Sequence, residues 1–305
     1  MAVGLVLLIA ILFGGRPTTP GASPSATAST STSPTAVPSG GASGNDGDAI
    51  LLAVGDIAYC GSSADEKVGQ LASSLPGTIA LLGDNAYDKG SATDYASCFD
   101  PTWGGFLDRI RPVPGNHEYE TKEAAAYFAY FGAKVGKIGE GWYSYDLGAW
   151  HLIALNSECG AIPGGCEGKD SAELAWLAKD LATHQAKCTL AYWHHPRYSS
   201  GRHGDNDMTD GIWQALSDAG ADVVLEGHDH DYERMSPIRG IRSFVVGTGG
   251  RSLYAWPGKP GAHTEVRAND TYGLLQLTLR DADYSWNFIP AAGGTFTDSG
   301  SGTCR

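Results

Sequence analysis

The chain has 305 residues, 42% of them apolar and 10% aromatic, with 42 glycines and a formal charge of −13. This is a globular, loop-rich composition, long enough for one large domain or two small ones. The acidic balance, without any basic run or stripe, argues against a nucleic-acid-binding surface. It also repels an anionic substrate, so bound cations would have to supply the attraction.

Residues 1–15 are apolar, with a core from Val3 to Phe13. Such a run is short of the about 20 residues that span a bilayer; it suits a signal peptide or an N-terminal membrane anchor. A basic leader and a nearby cleavage site are missing, and the small-x-small string Ala26-Thr27-Ala28 lies well downstream. Cleavage and retention both stay open. Residues 16–48 are Ser, Thr, Pro, Gly and Ala with little apolar bulk, which cannot bury enough surface to fold. They are expected to be a disordered linker, with residues 49–305 forming the folded domain. The protein is expected to be secreted or held at the extracellular surface, tethered to membrane or cell wall through its N-terminus. Its oligomeric state is not legible.

Ile50 to Val54 is a near-continuous apolar run, as in a central strand covered on both faces. Ala64 to Leu75 has helical spacing and Ile79 to Leu82 reads as a second strand, giving a βαβ opening. A long loop with Cys98 and a short helix near Trp103 to Arg109 precede a brief strand, Arg111 to Val113, and a helical stretch, Lys122 to Phe131. Trp142 to Asp146 and Trp150 to Leu155 alternate around Leu147-Gly148-Ala149, a hairpin signal. Asp170 with Glu173 predicts a capping box for an amphipathic helix over Ser171 to Gln185. Strands over Thr189 to Trp193 and Val223 to Leu225 enclose a helix over Thr209 to Ala219. Ile241 to Val246, Leu274 to Leu279 and Tyr284 to Ile289 read as closing antiparallel strands. Early alternation of helix and strand, then strands alone, predicts two packed mixed sheets flanked by helices.

The six cysteines fit three disulfides in an exported domain. Cys159 and Cys166 enclose a short Gly/Pro loop and are paired. Cys60 and Cys98 follow the first two strands and are paired next, which leaves Cys188 for Cys304.

Five apolar strands end in a small residue and then a metal-type ligand. The strings are Val54-Gly55-Asp56, Leu82-Gly83-Asp84, Val113-Pro114-Gly115-Asn116-His117, Tyr192-Trp193-His194 and Glu226-Gly227-His228-Asp229-His230. Ligands in open α/β sheets sit beyond the carboxyl ends of strands, so these strings describe one dinuclear metal site. Asp84 is the candidate bridge, and Asn116 offers a neutral oxygen that does not weaken the pull on phosphate. The His-x-His string supplies two imidazoles in one segment, so His228 and His230 can serve different metals.

In this order and completeness the motifs resemble those of calcineurin-like metallophosphoesterases, in particular the purple acid phosphatases. Gly227-His228-Asp229-His230-Asp231-Tyr232-Glu233-Arg234 is similar to that group's Gly-His-x-His-x-Tyr-Glu-Arg, and His194-His195-Pro196-Arg197-Tyr198 to its His-x-Pro-x-Tyr. The resemblance runs from about Ile50 to near the C-terminus. It implies the α/β (α+β) metallophosphoesterase fold, a four-layer αββα sandwich of two mixed β-sheets flanked by helices. It further implies two metal ions, Fe(III) held by Asp56, Asp84, Tyr87 and His230, and a divalent metal (Zn, Mn or Fe) held by Asp84, Asn116, His194 and His228.

The implied substrate is a small phosphate ester, a phosphomonoester hydrolysed by attack of metal-bound hydroxide, with phosphodiester or nucleotide hydrolysis as the alternative. A catalytically silent surface protein is a more distant alternative. His117 faces the phosphate and leaving group, His203 matches a further phosphate-side histidine, and His195 supports or packs. The first motif departs from the family, reading Gly-Asp-Ile-Ala where larger relatives often have Gly-Asp-x-Gly. The N-terminal β-sandwich of the plant enzymes is also absent.

Overall fold

The computed structural model describes residues 48–184 and 186–305. The expected signal segment and all but the last residue of the expected linker lie outside the described residues. Among the described residues thirteen strands form two sheets. One has the order β13-β12-β11-β1-β2-β3 and the other β10-β8-β9-β7-β6-β5-β4. In the first are β1 (Ala49–Val54), β2 (Thr78–Leu82), β3 (Ile110–Val113), β11 (Gly273–Leu279), β12 (Asp283–Pro290) and β13 (Ser299–Thr303). The second holds β4 (Tyr143–Leu147), β5 (Trp150–Ala154), β6 (Cys188–Tyr192), β7 (Val223–Glu226), β8 (Tyr232–Met235), β9 (Arg242–Val246) and β10 (Thr264–Ala268).

Strand alternation builds the layers. Leu51 and Ala53 of β1, with Leu190 and Tyr192 of β6, enter the core between the sheets. Their neighbours Leu52 and Val54 pack outward with Val68 and Ala72 of the helix Ala64–Ser74. On the other side Ala191 and Trp193 pack outward with Leu177 of the helix Ala172–Thr183 and Trp213 of the helix Asp210–Ala219. Both faces of the central strands are therefore covered, which is why they read as unbroken apolar runs. The result is the expected pair of mixed sheets flanked by helices. Three disulfides close it: Cys60–Cys98, Cys159–Cys166 and Cys188–Cys304. Among the described residues no helix is long and apolar enough to cross a membrane.

Several local expectations are corrected. The stretch around Cys98 is a chain of short helical turns from Ala92 to Arg109, not a long loop. The helix expected from Lys122 is regular only over Ala125–Phe131, because Glu123 and Ala124 take left-handed φ of 57° and 49°. Ser171, not Asp170, caps the next helix, accepting from the Leu174 amide at 3.1 Å. Glu173 instead turns inward and accepts from the Asn156 amide at 2.7 Å. Strand β9 pairs parallel with β7 and antiparallel only with β8, since β8 supplies the return that lets the chain re-enter in the original direction. Strands β8, β10 and β13 were not expected.

Candidate metal centre

Strands β1, β2 and β3 run parallel, as do β5, β6, β7 and β9. Their carboxyl ends meet across the two sheets. Backbone hydrogen bonds stitch the loops there: the Gly55 amide donates to Val246 O at 2.9 Å and the Gly227 amide to His194 O at 3.0 Å. Asp56, Asp84 and His228 hold φ of 59°, 50° and 68°. Non-glycine residues adopt this left-handed region at a cost, and such residues concentrate at functional sites. The close approach also fixes two glycines. A Cβ at Gly115 would stand 2.3 Å from Asp84 Oδ1, and one at Gly83 2.5 Å from His194 Nδ1.

Within this junction Tyr87 Oη lies 2.9 Å from both Asp56 Oδ1 and Asp84 Oδ2, and 3.2 Å from His230 Nε2. His230 Nε2 is also 3.2 Å from Asp56 Oδ1. On the other flank His194 Nε2 lies 3.4 Å from Asp84 Oδ1 and 3.2 Å from Asn116 Oδ1. The His228 ring packs 5.0 Å from that of His194. Asp84 thus stands between an Asp56–Tyr87–His230 group and an Asn116–His194–His228 group. His228 and His230 diverge because the left-handed kink at His228 breaks the strand alternation that would put both side chains on one face.

The outer partners aim the donors. His194 Nδ1 sits 2.8 Å from Leu82 O, and His230 Nδ1 2.8 Å from Ser252 O. Each ring therefore turns its Nε2 inward, the arrangement that metal-binding histidines use. Glu118 is buried and ties two loops together. Its Oε1 accepts from the Asn85 amide at 2.9 Å, and its Oε2 from the Gly115 amide at 2.8 Å. Asp229, between the two histidines, accepts from the His203 amide at 2.7 Å.

The electrostatics fit cations. Burial, Asp56 and Asp84 push the Tyr87 phenol well above its ordinary range. Burial opposes charge on His194, yet Asp84 and Asp56 raise it to about 10. Burial would raise the Asp84 carboxyl, but His194 and His117 hold it well below the usual carboxylate range. Burial and the neighbouring His194 and His195 push His228 far down. Two buried carboxylates lean here on a phenol proton and an imidazolium proton. A pair of cations meets that demand directly, and would turn the phenol toward phenolate. The donors are carboxylate, phenol, amide and imidazole, a set suited to iron and to borderline divalent metals.

His117 lines the same pocket: its Nδ1 contacts Asp88 O, its Nε2 is 3.8 Å from Asp84 Oδ2, and its ring lies 4.5 Å from that of Tyr87. The His203 ring lies 4.2 Å from that of His228 and is exposed. His195 does more than pack. Ser157 Oγ holds its Nδ1 at 3.0 Å, while a ring nitrogen comes within 4.8 Å of ring nitrogens of His194 and His228. Sequence reasoning missed the tie at Glu118, although the residue stands in the Gly-Asn-His-Glu string. It also missed Tyr254, which stacks on His230 at 4.0 Å and 10°. Tyr254 lies in a loop between β9 and β10 with no local pattern to betray it.

The chain belongs to the calcineurin-like phosphoesterase family, which it matches over residues 39–232. Among its relatives, purple acid phosphatase 15 of Arabidopsis thaliana is 27% identical over 244 residues, covering 66% of this chain and 44% of that protein. Human acid phosphatase type 7 is 27% identical over 195 residues, 54% of this chain and 42% of that protein. The chain spans less than half the length of these relatives. The solved structure of purple acid phosphatase PPD1 from yellow lupin superposes with a TM-score of 0.72 at 16% identity, covering 84% of this chain and 54% of that one. GAP50, the anchor in the inner membrane complex of Plasmodium, superposes with a TM-score of 0.68 at 13% identity, over 85% of this chain and 90% of that one. Likeness at these identities shows the fold, and function has to be argued from the site.

Proposed function

We propose that this protein is a secreted or surface-held phosphatase that hydrolyses phosphomonoesters at a dinuclear metal site. The observation that carries the reading is the convergence on Asp84 of two donor groups, one at each of its carboxylate oxygens. Asp56, Tyr87 and His230 would hold one metal with Asp84, and Asn116, His194 and His228 the other. When bound, such a pair supplies Lewis-acid polarisation of the phosphoryl oxygens and an activated water. Tyr87, as a phenolate, would suit Fe(III) at the first position, with a divalent metal at the second.

The chain's own residues do the rest. Glu118 and Asp229 fix the loops, while the carbonyls of Leu82 and Ser252 set which nitrogens of His194 and His230 would face the metals. His117 is held through Nδ1 by Asp88 O, so its Nε2 faces the pocket, where it can give a proton to the leaving oxygen. His203 stands beside His228 and would meet a phosphate oxygen held there. Three disulfides support export to an oxidising compartment.

The test is a phosphatase assay on protein of measured metal content. Turnover of nitrophenyl phosphate, two metals per chain and a visible charge-transfer band are expected. Tyr87→Phe should remove the band and leave part of the activity. A colourless, fully active protein with zinc or manganese in both positions would overturn the iron assignment. A fully loaded but inert protein would overturn the phosphatase reading.

A further inference from the structure

We propose that Arg202 and Arg251 form an anion-binding subsite beside the phosphoryl site, selecting esters whose leaving group carries a second phosphate. This rests on the phosphatase reading and names the substrate class for it.

The two guanidinium groups reach the metal centre from separate loops. Arg251 lies 4.0 Å over the Tyr59 ring and 5.2 Å from the Tyr87 ring, and its amide donates to Asp56 O at 3.0 Å. Its Nη2 is 3.3 Å from the exposed Asp88 carboxylate, on the residue whose carbonyl holds His117. Arg202 lies 4.8 Å over Tyr254, the ring stacked on His230. Arg202 thus reaches His230 through Tyr254, and Arg251 reaches it through Tyr87, whose ring lies 6.2 Å from that of His230.

The loop carrying Arg202 is pinned by three buried acids. Glu226 accepts from the Arg197 amide, Glu233 from the Ser200 amide and Asp229 from the His203 amide, each at 2.7 Å. Among the described residues no carboxylate pairs with Arg202. A guanidinium stacked on a ring keeps its N–H edges free, and those edges match phosphate oxygens. In a chain of net charge −13, a cation held without a carboxylate partner at the rim of a phosphate site favours a multiply charged anion.

A matched pair of substrates tests this: 3-hydroxypropyl phosphate and propane-1,3-diyl bisphosphate share the bond cleaved and differ by one phosphate. Per scissile group, kcat/KM for the bisphosphate should exceed that for the monophosphate by about tenfold or more, mostly through KM. In the double variant R202Q/R251Q that ratio should fall toward one. Lysines at the same positions should restore part of it. Metal content and melting temperature of each variant show that loading and folding are intact. Calorimetric binding of both compounds is measured alongside turnover. Equal wild-type efficiency and affinity for the two, or a preference that survives R202Q/R251Q, overturns the subsite. Preferential, arginine-dependent binding of the bisphosphate without turnover keeps the subsite and overturns the phosphatase reading.

Discussion

Two clusters of histidine and carboxylate lie at opposite ends of β5. Beyond its carboxyl end is the junction around Asp84. Near its start, His151 sits with Nδ1 2.9 Å from Asp146 Oδ1 and Nε2 2.7 Å from Asp180 Oδ2. Asp180 Oδ1 also takes the Ser144 hydroxyl at 2.8 Å and faces His184 Nδ1 at 3.2 Å. The residue types match those of a metal site, but the geometry does not. The His151 and His184 rings stack at 4.2 Å and 13°, so their in-plane lone pairs run nearly parallel. Around Asp84, Tyr87 and His194 approach opposite carboxylate oxygens, and three residues hold left-handed backbone. Convergence and strain, not composition, separate a site that demands cations from a cluster that satisfies itself.

Removing the point of convergence should have the largest effect. Asp84→Ala is expected to strip both metals and bring turnover below detection, as measured by plasma emission and steady-state assay. Two metals retained per chain would show that Asp84 does not bridge. The next effect divides neighbours in one loop. His117→Ala should leave metal content unchanged and lower kcat by roughly 10²–10⁴, with a smaller loss for aryl than for alkyl phosphates. Asn116→Ala should instead weaken the second metal, so that excess divalent metal restores activity. Loss of metal from His117→Ala, or equal slowing of aryl and alkyl esters, would remove His117 as the proton donor.

A smaller effect concerns aim rather than ligation. Glu118→Gln presents an amide N–H₂ where Glu118 now accepts from backbone amides of both loops. It is expected to weaken metal retention about 10–100-fold in competition with a chelator. Unchanged retention would mean that the loops hold their course without it.

Much of the convergent site could be read from sequence because strand ends are local: an apolar run, a small residue and a ligand lie within a few positions. The sheets were legible for the same reason wherever both faces are covered. What escaped reading depends on partners far away. Strand β13, Ser299–Thr303, has no apolar side chain to announce it and exists by pairing with β12. Strand β8 lies inside the Tyr-Glu-Arg string, where two charged residues interrupt the apolar pattern and the strand exists by pairing with β9 and β10. The cap moved from Asp170 to Ser171 because Glu173 was claimed by the Asn156 amide. Tyr254, Arg202 and Arg251 join the site only through the folding of loops, and no spacing encodes that.

The self-satisfied cluster gives the mildest test, one of stability against pH. Burial opposes charge on His151, but Asp180 and Asp146 raise its pKa above the usual 6.5. Burial would raise Asp180, but His151 and Ser144 lower it below the usual 3.8. A raised histidine contributes stability that is fully present below its unfolded pKa and is lost as pH climbs through the folded value. A lowered carboxylate contributes stability that is present above its unfolded pKa and is lost as pH falls through the folded value. The pair is therefore strongest between about pH 4 and 6.5 and weakens on the alkaline side. Asp180→Asn should cost roughly 1.5–3 kcal/mol in that window, the scale of a buried hydrogen bond to a charged group. In urea unfolding from pH 5 to 9 the gap between wild type and variant should narrow as pH rises, while metal content and kcat stay at wild-type values. A gap independent of pH would show that His151 is not charged there. Loss of metal from this variant would erase the distinction between the two clusters.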